Sequence, residues 1–352
     1  IYLYIAFNSI CVLRLTALGD CINAFGMLNA IKKATPQIKI VWVIDSRFAP
    51  LFRDISGKDI IPLQEINFKE KSLFKTILSF RKSFRHNRFD LLLNLQTSIK
   101  ASMVSLCINA REKYGYDKQR AREGHKFFIT KQVNSPSNPH VLAGFLAFAN
   151  QSGFGDVTPL WDFKLSPVEI KKAHELTLGR NRIFTISPAS AKAYKNWTAE
   201  GYSAVARYAM QKDFSIVLLG SRNESDLSLC CEIQSSLSNN CINLCGQTSL
   251  RDMAAVISVS SLVLSPDSAA LHLSSALNVP VIGLFAIHNP DRVGAWNYRD
   301  LEVSVYKQLA QAEVNGDKIS WRYRVKTPDA MKQISIQSVI NAIDKALLKY
   351  RL

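Results

Sequence analysis

The chain has 352 residues, 47% hydrophobic and 20% charged, with no low-complexity tract, which excludes a disordered chain and makes two domains the natural expectation. Lys and Arg number 44 against 28 Asp and Glu, a formal charge of +16, and this excess implies an anionic partner: nucleic acid, a phospholipid surface or a phosphorylated substrate. The seven cysteines are an odd number set mostly in apolar runs, which reads as the reduced, packed thiols of a cytoplasmic protein.

The opening IYLYIAFNSICVL is apolar, lacks a basic leader and a cleavage site, and reaches Arg14 before it could span a bilayer. It reads as a first buried strand with a frayed leader. The stretch VLRLTALGDCINAFGMLNAI follows, running from an apolar strand near 9–16 through a Gly-Asp pair into a helix over about 20–34. Asp20 stands at the turn. A carboxylate there either caps the helix, accepting from its first free N–H groups, or does chemistry beyond the strand end.

Further strands are expected near 38–45 and 90–96, and helices at about 71–86, 98–109 and 138–152. The segment FKEKSLFKTILSFRKSFRHNRF alternates Lys and Arg with Phe and Leu at helical spacing. It reads as an amphipathic helix packed on its own sheet with a solvated basic face, or as a helix resting on an anionic leaflet. A charged helical stretch, SPVEIKKAHELTLGRNR, then precedes a second set of strands at IFTISPAS, FSIVLLGS, CINLCG, LVLSPDS and PVIGLFA. Alternating strands and helices argue for parallel sheets with crossover helices, whose ligands bind beyond the carboxyl ends of the strands.

Three strand ends of the second half carry candidate chemistry. In SPDSAALHLSSALNVPVIGLF a strand ends at Ser265 and a helix begins near Ala269, so free N–H groups and small side chains suit a diphosphate, with His272 one turn in; the plain alternative is a helix capped by Asp267 or Ser268 above a buried His. SPASAKAYKNWTAEGY presents Ser190, Lys192 and Lys195 ahead of a helix capped by Thr198, and a lysine there neutralises a leaving diphosphate as a point charge. In LLGSRNESDLS, Glu224 either accepts from ribose hydroxyls or is an ordinary first-turn acid. Cys241 and Cys245 lie four apart but lack the second ligand pair of a zinc site, so no metal is expected. No strand is followed by G-x-G-x-x-G with a later acid, which disfavours a nicotinamide oxidoreductase. No nucleic-acid-binding module is visible, which disfavours a nucleic-acid partner.

The order and spacing of these pieces resemble the heptosyltransferases of glycosyltransferase family 9, which build the inner core of lipopolysaccharide. RLTALGDCINAFGMLNAIKKATPQIKIVWVID looks like the family opening, NLQTSIKASMVS is similar to its Asp-x-Gln-Gly-x-x-Lys-Ser segment, and RAREGHKFF to its Ala-Arg-Glu loop. KNWTAEGYSAVA, CGQTSLRDMAAVI and SPDSAALHLSSALNVPVIGLF correspond to the Lys-x-Trp-Pro, pre-phosphate and Asp-Thr-Gly-x-x-His-Leu elements, with Ser268 for Thr and Ala269 for Gly, and Thr97 stands where the family often has Gly. HNPDRVGAWNY has the Pro-x-Arg-x-Gly pattern.

The resemblance implies the α/β GT-B fold, two Rossmann-like domains with parallel sheets facing across a cleft: residues 1–165 for the acceptor, 166–330 for the nucleotide sugar, and a C-terminal helix in 331–352. It implies an inverting transfer of heptose from ADP-heptose, without a cofactor or metal, to an anionic glycolipid, with Asp20 as general base and Lys195 as the group facing the leaving diphosphate. Ser190, Lys195, Glu224, Thr248, Asp267, Ser268, Ala269 and His272 are the implied donor residues; Gln96, Lys100, Arg120 and Arg122 are the implied acceptor residues. The enzyme is then expected in the cytoplasm, peripheral on the inner face of the inner membrane. A GT-B transferase using another nucleotide sugar is the alternative.

Overall fold

The computed structural model describes residues 7–68, 72–122, 124–315 and 318–352. The chain divides into two compact units, Ile1–Lys164 and Leu165–Leu352.

In the first unit β1 (Ser9–Leu13) leads through a short loop into α1 (Leu18–Ala34), followed by β2 (Lys39–Asp45), β3 (Leu63–Ile66), α2 (Leu73–Phe84), β4 (Arg88–Asn94), α3 (Ile99–Leu106), β5 (Asn109–Tyr116), β6 (Lys131–Val133) and α4 (Val141–Ala149). The strands form one parallel sheet in the order β3-β2-β1-β4-β5-β6. The second unit runs α5 (Pro167–Leu176), β7 (Ile183–Ile186), α6 (Ala199–Met210), β8 (Ser215–Leu218), α7 (Glu224–Ser236), β9 (Ile242–Asn243), α8 (Leu250–Ser258), β10 (Leu262–Pro266), α9 (Ala269–Ala276), β11 (Val281–Phe285), α10 (Pro290–Val293), β12 (Val303–Ser304), α11 (Tyr306–Glu313) and α12 (Ile336–Tyr350). Its parallel sheet has the order β12-β11-β10-β7-β8-β9.

Both orders are the Rossmann 3-2-1-4-5-6 pattern, so each sheet has one point where the winding reverses, between β1 and β4 and between β7 and β10. At these points the crossover helices depart to opposite faces and leave a crevice beyond the strand ends. The central strands are apolar on both faces: Ile10, Cys11, Val12 and Leu13 of β1 and Leu262, Val263 and Leu264 of β10 are wholly buried. Each such aliphatic side chain stabilises the fold by about 1.5–3 kcal/mol. Trp42 on β2 packs against Phe25 of α1 and Phe52, with ring centroids 6.4 and 4.7 Å away, and its indole N–H donates to the carbonyl of Arg14 at 3.1 Å. The core thus holds the loop that carries the site. Gly26 lets the Trp161 ring lie against α1, where an added Cβ would come within 2.5 Å of it, while the indole donates to Ile22 O at 2.8 Å.

The expected central strands and helices are present with ends shifted by a few residues. The expected helix over 98–109 stops at Leu106, because Asn109 begins β5. Four strands had no clear sequence signal: β3, β5, β6 and β12 are short or rich in polar residues and hold their places by pairing with apolar neighbours. The opening residues 1–6 of the expected frayed leader lie outside the described residues. Cys11, Cys21, Cys230 and Cys245 are buried free thiols, and Cys231 is exposed. No helix among the described residues is long and apolar enough to cross a membrane.

Candidate functional site

The first switch point gathers Arg14, Asp20 and Gln96. Leu13 of β1 lies in register with Asn94 of β4, so the residues that follow each strand meet at one sheet end. Asp20 occupies the third position of α1 and accepts from the N–H of Ala17 at 3.4 Å. The same carboxylate oxygen is ion-paired to the guanidinium of Arg14, which also donates to Leu95 O at 2.6 Å and lies 5.5 Å from the Phe145 ring centroid. Asp20 is therefore both a weak cap and an oriented carboxylate. Its side chain is 28% exposed, so the unpaired oxygen is within reach of a solute. Arg14 went unrecognised in the sequence; its only signal was a cation at the end of an otherwise apolar strand.

Gln96 is engaged inside the fold. Its carbonyl accepts from the N–H groups of Leu15 and Thr16 at 2.8 and 3.2 Å, and its amide donates to the hydroxyls of Thr16 and Ser98 at 3.3 and 3.1 Å. It clamps the loop that presents Asp20. Arg120 is likewise internal: it is 5% exposed, and its guanidinium donates to Asp117 at 3.0 Å and to the carbonyl of Val133 at 3.0 Å. Its charge is neutralised where it sits, so it ties the Asp117–Arg120 turn to β6. Arg122 and Lys100 are exposed; Lys100 Nζ lies 6.0 Å from the ring centroid of Phe68.

The second switch point gathers Lys195, Asp267 and His288. Lys195 ends a single 3-10 turn beyond β7, and its ammonium donates to the backbone carbonyl of Asp267 at 2.6 Å and to its carboxylate at 3.1 Å. His288 Nδ1 lies 2.6 Å from the same carboxylate oxygen. Burial works against the charge on Asp267, but the His288 hydrogen bond and the fields of Lys195 and of the His288 and His272 imidazoles outweigh it and hold the carboxyl below the ordinary range. Asp267 is thus no helix cap. Ser268 is the cap of α9, its hydroxyl accepting from the N–H of Ala270 at 3.2 Å and sharing a 2.7 Å hydrogen bond with Ser265.

The remaining donor-side residues fall into two groups. Ala269 and His272 are partly exposed on the first turn of α9, so a cation, a helix N-terminus and an imidazole share one end of the sheet, an arrangement suited to phosphate oxygens. Glu224 is exposed as the first residue of α7, and Thr248 is partly exposed just before α8. Ser190, by contrast, is spent on its own loop: its hydroxyl donates to Lys192 O at 2.9 Å, while its N–H donates to the Asn196 side chain at 2.8 Å. Thr198 caps α6 as expected, accepting from Gly201 N at 3.0 Å. Asn196 and His288 were missed because their roles depend on partners brought near by the fold. A separate cavity of about 470 Å³ is lined by Tyr194, Trp197, Arg324, Lys326 and Met331 among others, and its lining includes neither Lys195 nor Asp267.

The model of glycosyltransferase family 9 (heptosyltransferase) matches residues 77–321. The chain is 34% identical over 340 residues to the lipopolysaccharide core heptosyltransferase OpsX of Haemophilus influenzae, covering 96% of each, and 24% identical to lipopolysaccharide heptosyltransferase 1 of Campylobacter coli over 78% of this chain and 83% of that one. Among solved structures, a family 9 glycosyltransferase of Veillonella parvula superposes with a TM-score of 0.75 at 20% identity, covering 98% of both chains. E. coli heptosyltransferase WaaC with ADP gives 0.71 at 17% identity over 96% of this chain and 99% of that one. These structures share the GT-B fold class with the two Rossmann-like units described above. The chain belongs to glycosyltransferase family 9, the heptosyltransferases, and is a glycosyltransferase.

Proposed function

We propose that the enzyme transfers heptose from ADP-heptose to the inner core of lipopolysaccharide, Kdo-lipid A or heptosyl-Kdo-lipid A, with inversion at the anomeric carbon. The observation that carries the reading is the division of charge between the two switch points: an oriented carboxylate, Asp20, beyond β1, and a lysine, Lys195, held at the start of α9. The relative named as a lipopolysaccharide core heptosyltransferase and the similar structure holding ADP support the choice of acceptor and nucleotide.

In this reading Asp20 takes the proton of the acceptor hydroxyl as its oxygen attacks the anomeric carbon, and the bond from that carbon to the diphosphate oxygen breaks. Lys195, His272 and the N–H groups that open α9 stabilise the charge that develops on the departing ADP, with Ser268 and Ala269 keeping the approach open. The lysine and the helix start supply the positive charge, so the reading takes no metal. Glu224 and Thr248 hold the nucleoside. Arg122 and Lys100 meet the carboxylates of the acidic sugars, while Gln96, Arg120 and Ser190 serve the same sites through the loops they fix. The acceptor is lipid-linked, so the enzyme works at the cytoplasmic face of the inner membrane as a peripheral protein.

The test is incubation of the purified protein with ADP-heptose and, in separate reactions, Kdo-lipid A and heptosyl-Kdo-lipid A, read by mass spectrometry, beside thermal shifts with ADP, UDP and GDP. One heptose gained and selective stabilisation by ADP are expected. Stabilisation by UDP or GDP in place of ADP would instead mark a GT-B transferase with another donor.

A further inference from the structure

We propose that the outer surface of α2, α3 and the His125–Phe128 turn is a docking face for an anionic phospholipid leaflet. The proposal deepens the peripheral-membrane reading above and rests on it for its biological setting. From β3 to β6 the chain steps in one direction across the sheet, so right-handed crossovers place α2, α3 and this turn together on the face opposite α1. Phe80 and Phe84 of α2 and Ala101 and Val104 of α3 point inward and join Val43 and Leu92 in one core cluster. The fold has taken the apolar side chains it needs from this layer.

The same layer nevertheless exposes large apolar groups. Phe74 and Leu78, one turn apart on α2, are 73% and 56% exposed, and Leu106 and Phe127 are exposed to a similar degree. Exposed Lys75, Arg81, Lys82 and Arg85 run beside them, and Lys126 Nζ lies 4.9 Å from the Phe127 ring centroid. Neither helix nor the turn contains an Asp or Glu. Within these three elements every charged side chain is cationic, set among aromatic and aliphatic ones. That combination fits an anionic leaflet, with the cations on lipid phosphates and the rings at the boundary between headgroups and acyl chains. The charge complementarity favours a leaflet over a second copy of this basic chain.

The experiment is co-sedimentation of the full chain with vesicles of phosphatidylethanolamine and phosphatidylglycerol, and with vesicles of phosphatidylcholine alone. Wild type is expected to bind the first, less so as salt rises, and not the second. Phe74→Ser with Leu78→Ser, and separately Phe127→Ser, should each weaken binding about tenfold, with wild-type melting and unchanged heptose transfer to a lipid-free acceptor. Equal binding by wild type and both variants, or no binding to anionic vesicles, overturns the proposal. So does a dimer in vesicle-free solution that the α2 variant dissociates, since a second copy would then cover the face. The lipid-free transfer assay is independent of vesicles, so failure of the catalytic reading shows there and failure of the docking face shows in the sedimentation.

Discussion

Arg14 and Asp20 form an ion pair across the turn from β1 into α1, and the same guanidinium is anchored to the carbonyl of Leu95 beyond β4. The anchor fixes where the carboxylate points. Asp20→Asn should remove nearly all transfer while leaving the fold and ADP binding intact, because an amide oxygen still accepts from Ala17 but takes no proton. Arg14→Met removes the charged partner of the carboxylate, which keeps only the Ala17 N–H, and one of two donors to the Leu95 carbonyl, which keeps the Tyr116 hydroxyl at 3.2 Å. It should cost about 1–2 kcal/mol of stability, since the pair is only partly buried, and lower kcat with ADP affinity unchanged. Denaturant melts and steady-state kinetics check both, and Arg14→Lys should recover part of the loss.

For the donor side, Lys195→Ala and His272→Ala should each weaken ADP binding, the lysine by about 1.5–3 kcal/mol as expected for a charged hydrogen bond. Calorimetric titration reads this directly. Asp267 pairs with Lys195 but offers a diphosphate no donor of its own, so Asp267→Asn should change ADP affinity less than Lys195→Ala does. Equal ADP affinity in all three variants would place the diphosphate elsewhere.

Arg122 is exposed, two residues past the buried Arg120, with no hydrogen bond or ion pair to its side chain among the described residues. Arg122→Ala should raise the acceptor KM and leave ADP affinity alone, at about 1.5–3 kcal/mol for a lost charge-assisted pair. Lysine should rescue only in part, because a point charge does not reproduce the bidentate fork. Initial rates against acceptor concentration, with and without the acidic sugars, make the measurement; an equal loss on both acceptors would remove Arg122 from the site.

Glu302 gives a pH dependence outside the site. Its carboxyl is buried beside Gly294, where an added Cβ would come within 1.7 Å of Oε1. Burial pushes its pKa up to about 7 against the pull of Arg299, 3.2 Å away. Between the ordinary carboxylate range and pH 7 the folded chain keeps a proton that the unfolded chain has lost. Stability from this group is therefore greatest at low pH and falls as pH rises through that window, by on the order of 3 kcal/mol. Glu302→Gln should flatten the dependence of Tm on pH over roughly pH 5 to 8, the span around the raised carboxyl.

The sequence by itself determined the α/β class and the strand ends on which chemistry sits. Runs such as SICVL and LVLSP have the apolar composition of central strands; Asp267 follows the second directly, and Asp20 lies at the helix start that the first leads into through a short loop. The edge strands were another matter. NAREKYGY has the composition of a surface segment and becomes β5 only because β4 and β6 satisfy its backbone on either side. The tertiary structure also decided which polar residues remain available. Gln96, Ser190 and Arg120 have the right chemistry for ligands, but their donors and acceptors are consumed by neighbours the fold supplies: Leu15 and Thr16 some 80 positions back, the Asn196 side chain, and the Val133 carbonyl. Lys195 met Asp267, and Asp267 met His288, for the same reason. Hydrophobic pattern encodes a local period and can be read along the chain, whereas a hydrogen bond depends on a partner's position and exists only once the chain has closed on itself.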